Sequence, residues 1–320
     1  MICSIPDSTA RNDCAMILYR FRYTGSMTIT ILGASGFFGQ NLIRHLLATT
    51  DHQLRAFCRT AAQLDFGPDH DRVELIVGDV LKAEDLQQAL RGADAAYYLV
   101  HMMGNTEGDF YELEAQAAHN VADVAERCDV ARLIFMGGLG SDNDTLSKHL
   151  ASRHNTGRIL REHARLVIEF RASMIIGHGS IAYEVVRTIA HRLPVLMVPS
   201  WAVTHTQPIT LHDALEYLTA ALSVHTSTSQ IVEIGGPEPM TYEDVVVAYG
   251  RSIGRRETIF SIPFVPHWAA IVWINLFMPA HHSGVAKPMV DSLSNEMVVT
   301  TDIAHKLFPA IKPEPISNAL

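Results

Sequence analysis

From Met27 onward, apolar residues fall into short runs separated by stretches with helical spacing. Thr28–Leu32, Gln53–Cys58, Val73–Val77, Ala95–Val100 and Arg132–Met136 read as strands. Between them, Phe37–Ala48, Ala83–Leu90 and about Phe110–Arg127 read as helices, the last with Leu113, Ala117, Val121 and Val124 on one face. Short apolar strands alternating with helices predict an α/β fold built on a doubly wound parallel sheet covered on both faces. After residue 140 the rhythm loosens. Helices are predicted over Lys148–His163, Ile181–His191, Leu211–Leu222 and Thr241–Ile253, and strands over Leu166–Phe170 and Gln230–Ile234. Thr241 with Asp244 has the form of a capping box. With no repeat or linker in view, the second lobe is expected to interleave with the first. Residues 27–178 and 204–236 would form a dinucleotide-binding domain, and 179–203 with 237–320 a smaller substrate lobe.

Residues 1–26 lack the basic start and apolar run of a secretory signal and are expected to be a disordered extension, with Met27 an alternative start. The longest apolar stretch, Trp268–Met278, falls short of the roughly 20 residues that span a bilayer. A core helix or an apolar pocket wall is expected there, with peripheral membrane contact as the alternative. Cys3, Cys14, Cys58 and Cys128 form no Cys-x-x-Cys pair, which fits a reducing compartment and a cytoplasmic location. Against 34 acidic side chains stand 25 basic ones, for a net charge of −9, and the Lys+Arg set is mostly arginine. This balance excludes a nucleic-acid-wrapping protein. The 17 histidines invite a metal hypothesis, but none sits at metal-box spacing, and no metal is expected.

Chemistry concentrates after the first strand, in Gly33-Ala-Ser35-Gly36-Phe37-Phe38-Gly39. Between a strand and a helix, such glycines let the backbone turn sharply and approach a pyrophosphate at the helix N-terminus. No Gly-Lys-Ser/Thr follows, so a P-loop nucleotidase is excluded, and no Gly-x-Ser-x-Gly elbow supports a hydrolase. At the end of the second strand an acidic residue would favour NAD; the chain has Arg59, whose planar cationic fork suits a 2′-phosphate and favours NADP over NAD. Asp79 ends the third strand and suits either an adenine contact or a helix cap.

Gly33-x-x-Gly36-x-x-Gly39, Gly78-Asp79-Val80, Tyr98-Leu99-Val100-His101 and Gly235-Gly236-Pro237 resemble the extended and atypical short-chain dehydrogenase/reductase superfamily, in particular the NAD(P)H-binding group related to NmrA-like proteins and the complex I 39-kDa subunit. Gly137–Gly140, Ser152-Arg153-His154, Thr206-Gln207-Pro208 and Asn295–Val299 strengthen the resemblance, which runs from about Thr28 to Pro309. It implies an NADP-binding Rossmann domain. The cofactor loop would be Gly33, Ser35, Gly36, Phe37, Phe38 and Gly39, with Arg59, Asp79, Val80, Leu99, Val100 and His101 as adenosine and ribose contacts. The superfamily's catalytic Ser and Tyr-x-x-x-Lys do not carry over. Gly137-Gly138 stands in the Ser position, with His149 in the Tyr slot and Arg153 in the Lys slot. An alternative frame is His154 with Arg158. His149 would be a proton donor if its pKa stayed near the free value of about 6.5. Two functions follow as expectations. One is an atypical oxidoreductase acting on an apolar carbonyl, enone or quinone-like substrate. The other is a catalytically silent NADP(H)-binding sensor, assembly factor or accessory subunit. The pattern leaves the oligomeric state open.

Overall fold

The computed structural model describes residues 25–60, 64, 66–102, 110–142, 145–192, 196–199, 203–255, 259–262 and 291–320. The expectations for the N-terminal extension and for Trp268–Met278 lie almost wholly or wholly outside these residues. Six strands, β1 (Thr28–Leu32), β2 (Gln53–Cys58), β3 (Val73–Val77), β4 (Ala95–Tyr98), β5 (Arg132–Gly138) and β6 (Val167–Ala172), alternate with helices α1 (Phe37–Thr49), α2 (Ala83–Leu90), α3 (Phe110–Arg127) and α4 (Lys148–His163). Short strands β7 (Ile175–Ile176), β8 (Leu196–Pro199), β9 (His205–Thr206) and β10 (Ile209–Thr210) follow, with α5 (Ile181–Arg192) between β7 and β8 and α6 (Leu211–Ala220) after β10. Then come β11 (Gln230–Ile234), β12 (Met240–Thr241), α7 (Tyr242–Ser252), β13 (Ile259–Ile262) and α8 (Ile303–Leu307).

Seven strands form one sheet in the order β11-β6-β5-β4-β1-β2-β3, every neighbouring pair parallel. This is the doubly wound arrangement. The chain leaves β1 outward through β2 and β3, then returns to lay β4 on β1's other side. Ile29 to Leu32 pair with Ala95 to Tyr98, and Leu32 also faces Phe57 of β2. The carboxyl ends of β1 and β4 therefore flank the point where strand order reverses, the usual ligand position in such sheets. One apolar cluster lies between the sheet and α1, α6 and α8, and includes Ile29, Leu42, Phe170, Leu218 and Phe308. A second lies under α2, α3 and α4, with Leu32, Leu86, Val121, Phe135 and Ile159. A third joins α5 to α7 through Tyr183, Val186, Val245 and Tyr249.

Two motifs that carried the resemblance are stitches between these layers. Gln207 Nε2 donates to the Gly236 carbonyl at 2.7 Å, and its Oε1 accepts from the Val299 N–H at 3.0 Å. Asn295 Oδ1 accepts from the N–H of Ser147, the N-cap of α4, and its Nδ2 donates to the Thr145 carbonyl. The Thr241–Asp244 capping box is formed at α7. Gln207→Ala strands the Gly236 carbonyl and the Val299 N–H in a partly buried seam, so a loss of about 2 kcal/mol is expected in urea unfolding. A loss below about 0.5 kcal/mol would show that the seam does not depend on this side chain.

Candidate functional site

The backbone does most of the work at the switch point. Gly33, at φ +96°, turns the chain out of β1, and a Cβ there would lie 2.9 Å from the Leu99 carbonyl carbon. Its N–H and that of Ala34 both donate to the Phe57 carbonyl at 3.1 Å. Gly39, on the first turn of α1, meets the loop so closely that a Cβ would lie 2.9 Å from Ala34 Cα. The loop, β2, β4 and α1 are thus locked together through main chain. Gly36 is the N-cap of α1 and supplies no side-chain cap. The first N–H groups of α1 are left without a side-chain acceptor, and the positive end of the helix dipole faces the same way.

Around this loop lies a cleft of about 730 Å³. Gly33, Ser35, Gly36, Phe37, Phe38, Gly39, Arg59, Asp79, Val80, Leu99, Val100 and His101 all line it, and so do His149 and Arg153. Residues separated by more than a hundred positions in the chain converge on one cavity. Arg59 is exposed at the end of β2 and has no ion-pair partner among the described residues. Asp79 Oδ1 accepts from the Leu81 N–H at 3.0 Å, while the Asp79 N–H donates to Asp85 Oδ2 at 2.9 Å. Its carboxylate is therefore half committed to shaping the turn into α2. The lining also includes the apolar Met102, Met136, Ile175, Ile181 and Ala182, together with Ser173 and Ser180.

Helix α4 carries the two positions that replace Tyr and Lys. Its buried face includes Ser152, Arg153, His154 and Thr156, an unusually polar set. Arg153 is 5% exposed and lies 4.7 Å over the Phe135 ring. It donates to the Val100 carbonyl at 3.2 Å and the Met136 carbonyl at 2.5 Å, pinning the carboxyl ends of β4 and β5. His154 and Arg158, the alternative frame, do not reach the cleft. His154 is held by Asp142 at 2.5 Å and the Gly138 carbonyl at 3.0 Å, and Arg158 pairs with Glu162 at 2.6 Å. At Gly138 a Cβ would sit 2.7 Å from Leu150 Cδ2, the end of a flexible side chain that can shift, so sterics alone do not bar a serine there.

His149 departs from expectation. Its Nδ1 is buried and has no hydrogen-bond partner among the described residues. Burial first, then the nearby His101 and Arg153, push its pKa down to about 3 against a weaker opposing pull from Glu114. His149 is a neutral imidazole at pH 7, so a role resting on titration near 6.5 is corrected. Its ring stacks on His101 with centroids 5.0 Å apart and planes 17° from parallel. Glu114, absent from the reading of the sequence, sits behind this pair. It is 1% exposed and touches His101, Ser152 and Arg153. Burial alone would raise the Glu114 carboxyl, but His101, Arg153 and Ser152 hold it well below the usual carboxylate range.

Among the described residues no group of three or more His, Cys, Asp or Glu is arranged to hold a metal, and no helix is long and apolar enough to cross a membrane. Cys58 and Cys128 are free thiols.

A protein-family model described as NAD(P)H-binding matches residues 33–190. The human sterol-4-alpha-carboxylate 3-dehydrogenase, decarboxylating, is 27% identical over 108 residues, which are 33% of this chain and 27% of that one. The chain thus aligns with well under half of that relative's length. Citrobacter triphenylmethane reductase complexed with NADP(H) superposes with a TM-score of 0.72 at 17% identity, covering 91% of this chain and 98% of that one. A Bordetella bronchiseptica enzyme in complex with NAD gives a TM-score of 0.69 at 16% identity, covering 93% and 92%.

The pH dependence of stability reports on His149. Its folded pKa lies below the unfolded value of 6.5, so the unfolded chain binds more protons and stability falls as pH drops from 6.5 toward 3. His149→Phe should flatten the urea-stability slope in that window by up to about 1.4 kcal/mol per pH unit. Equal slopes in the two proteins would refute the neutral, buried imidazole.

The glycine loop, the seven-stranded parallel sheet and these relationships together give the chain a Rossmann-like fold whose residues 33–190 match an NAD(P)H-binding domain, similar to that of dehydrogenases and reductases.

Proposed function

We propose that the protein is an NADPH-dependent oxidoreductase acting on an apolar substrate that bears a carbonyl, enone or quinone-like group. The observation that carries this reading is the convergence, in one cleft, of the open N-terminus of α1, a cationic side chain at the end of β2, His101, His149 and a set of Met and Ile side chains. The fit to a dinucleotide rests on the cradle itself, where side chains at 33 and 39 would collide with backbone that the loop needs. The N–H groups of Phe37 and Phe38 would bind the pyrophosphate. Arg59 would hold the 2′-phosphate, and Asp79, through the oxygen not used by Leu81, would accept from the adenine amino group. Arg153 keeps the ends of β4 and β5 in place beneath the ribose position. When bound, the nicotinamide would supply or accept a hydride. The Met and Ile side chains exclude water from that exchange and suit a lipid-like or aromatic molecule. The sterol named in the human relative's activity and the NADP(H) of the Citrobacter enzyme support this choice. Residues 27–178 and 204–236 would form the cofactor half, with 179–203 and 237–320 as the substrate lobe. The free Cys58 and Cys128 suit a reducing, cytoplasmic setting.

A second reading has its own observation. The cleft lining among the described residues contains neither tyrosine nor lysine. A cofactor-binding sensor or accessory subunit would need neither. Turnover separates the two: NADPH oxidation with one of a panel of quinones, enones and apolar aldehydes supports the enzyme, and tight binding without turnover supports the sensor.

Arg59 sets the cofactor preference. Arg59→Ala should weaken NADPH binding about tenfold or more, the loss of one or two charge-assisted hydrogen bonds, and leave NADH binding within about twofold. Fluorescence titration with both nucleotides measures this. Tighter NADH than NADPH binding by the unaltered chain would contradict the assignment.

A further inference from the structure

Glu114 costs the fold free energy unless its charge is fully met, because a buried carboxylate loses its water. It is met, and mostly by groups that belong to the cleft. Its Oε1 accepts from the Met102 N–H at 3.1 Å, lies 3.2 Å from His101 Nδ1 and sits 3.7 Å from Arg153 Nη1. Its Oε2 accepts from the Ser152 hydroxyl at 2.6 Å. Glu114 itself does not line the cleft, whereas Met102, His101 and Arg153 do. A carboxylate placed so can act on bound molecules only through its neighbours.

The stacked imidazoles constrain what those neighbours do. Two rings 5.0 Å apart cannot both be cations at modest cost, so the pair holds one extra proton at most. Among the described residues, the charged groups facing them include Glu114 from α3 and Arg153 from α4. Glu114 meets His101 directly, and the His101 side chain remains 31% exposed into the cleft. His149 has no carboxylate at hydrogen-bond distance among the described residues.

Building on the oxidoreductase reading above, we propose that Glu114 is a positioning residue that holds the His101 imidazole in one tautomer, proton on Nδ1. His101, rather than His149, is then the side chain that exchanges a proton with substrate, at Nε2. In the reducing direction Nε2 first takes a proton from solvent, and the Nε2–H bond of the resulting imidazolium then breaks as an O–H bond forms at the substrate oxygen, which leaves the neutral Nδ1–H ring. The Glu114 carboxylate stays ionised throughout and steadies the imidazolium when it forms, as carboxylates behind catalytic histidines do. This gives His101 a role beyond contacting the ribose and fills the place left by the absent tyrosine with a residue from the segment after β4 rather than from α4.

The test uses the full chain labelled with ¹⁵N-histidine, followed by NMR from pH 9 down through the His101 midpoint, which burial pushes below the ordinary imidazole range. His101→Gln identifies the His101 signals by their loss. The expected result for the unaltered chain is a neutral His101 protonated at Nδ1. In Glu114→Gln its titration midpoint should fall by about one pH unit or more, the effect of losing an adjacent carboxylate. An Nε2–H tautomer in the unaltered chain overturns the proposal without recourse to any variant, so a Glu114 variant that fails to fold does not shield it. An unmoved midpoint in a folded Glu114→Gln chain overturns it as well. Given a turned-over substrate, His101→Gln should lower kcat about a hundredfold or more with KM for NADPH changed less than about threefold, while His149→Gln stays within tenfold. NADPH titration of the same samples reports separately on the cofactor reading: a chain that does not bind NADPH removes that reading, whatever the tautomer of His101.

Discussion

At the carboxyl end of β1 the main chain of Gly33 lies against the main chain of Leu99 and Val100, and Gly39 closes over the same loop. Side chains at either position have nowhere to go. This approach sets the entry angle of α1, brings the end of β4 beside the end of β1, and points uncapped N–H groups into the space between them. Every other cleft residue is arranged around that fixed frame. Arg59 and Asp79 come from neighbouring strand ends, His101 from the segment after β4, and His149 and Arg153 from α4. The frame also reconciles the charge of the protein with its ligand. A chain of net charge −9 repels anions at a distance, so an anionic dinucleotide has to be captured locally. Backbone donors, a helix end and one exposed guanidinium supply that local field.

Helix α4 shows how the chemistry is displaced from the Ser and Tyr-x-x-x-Lys pattern that the sequence resembles. Arginine replaces lysine and spends its donors on the Val100 and Met136 carbonyls, so it holds the strand ends in position. The imidazole in the tyrosine slot is kept neutral by burial and by neighbouring positive charge. The proton exchange proposed above falls instead to His101, stacked on that ring, with the Glu114 carboxylate behind it.

Where apolar periodicity was strong, the elements were legible in the chain. Helices Ala83–Leu90, Phe110–Arg127 and Lys148–His163 and strands Gln53–Cys58, Val73–Val77 and Gln230–Ile234 match the reading residue for residue. Strand β4 stops at Tyr98 rather than Val100 because Leu99 and Val100 turn into the cleft wall. The two-residue strands β9, β10 and β12 were missed: β9 pairs with the distant β12 and β10 with β7, and two residues carry no period. Strands β8 and β13, which pair with each other, left a similarly weak trace. Glu114 was invisible for a related reason. Read along α3, it is one polar residue among many. Its burial is decided by residues 101, 152 and 153, which only the fold brings to it. The local motif, by contrast, named the glycine loop because strand, turn and helix N-terminus are contiguous in sequence.

A crystal structure of the protein with NADPH tests the central claim most directly. The account predicts the pyrophosphate on the N–H groups of Phe37 and Phe38, the 2′-phosphate within hydrogen-bond distance of Arg59, and the nicotinamide at the end of the cleft beside His101 and Met136. A pyrophosphate bound away from the α1 N-terminus, or a nicotinamide far from His101, would contradict it.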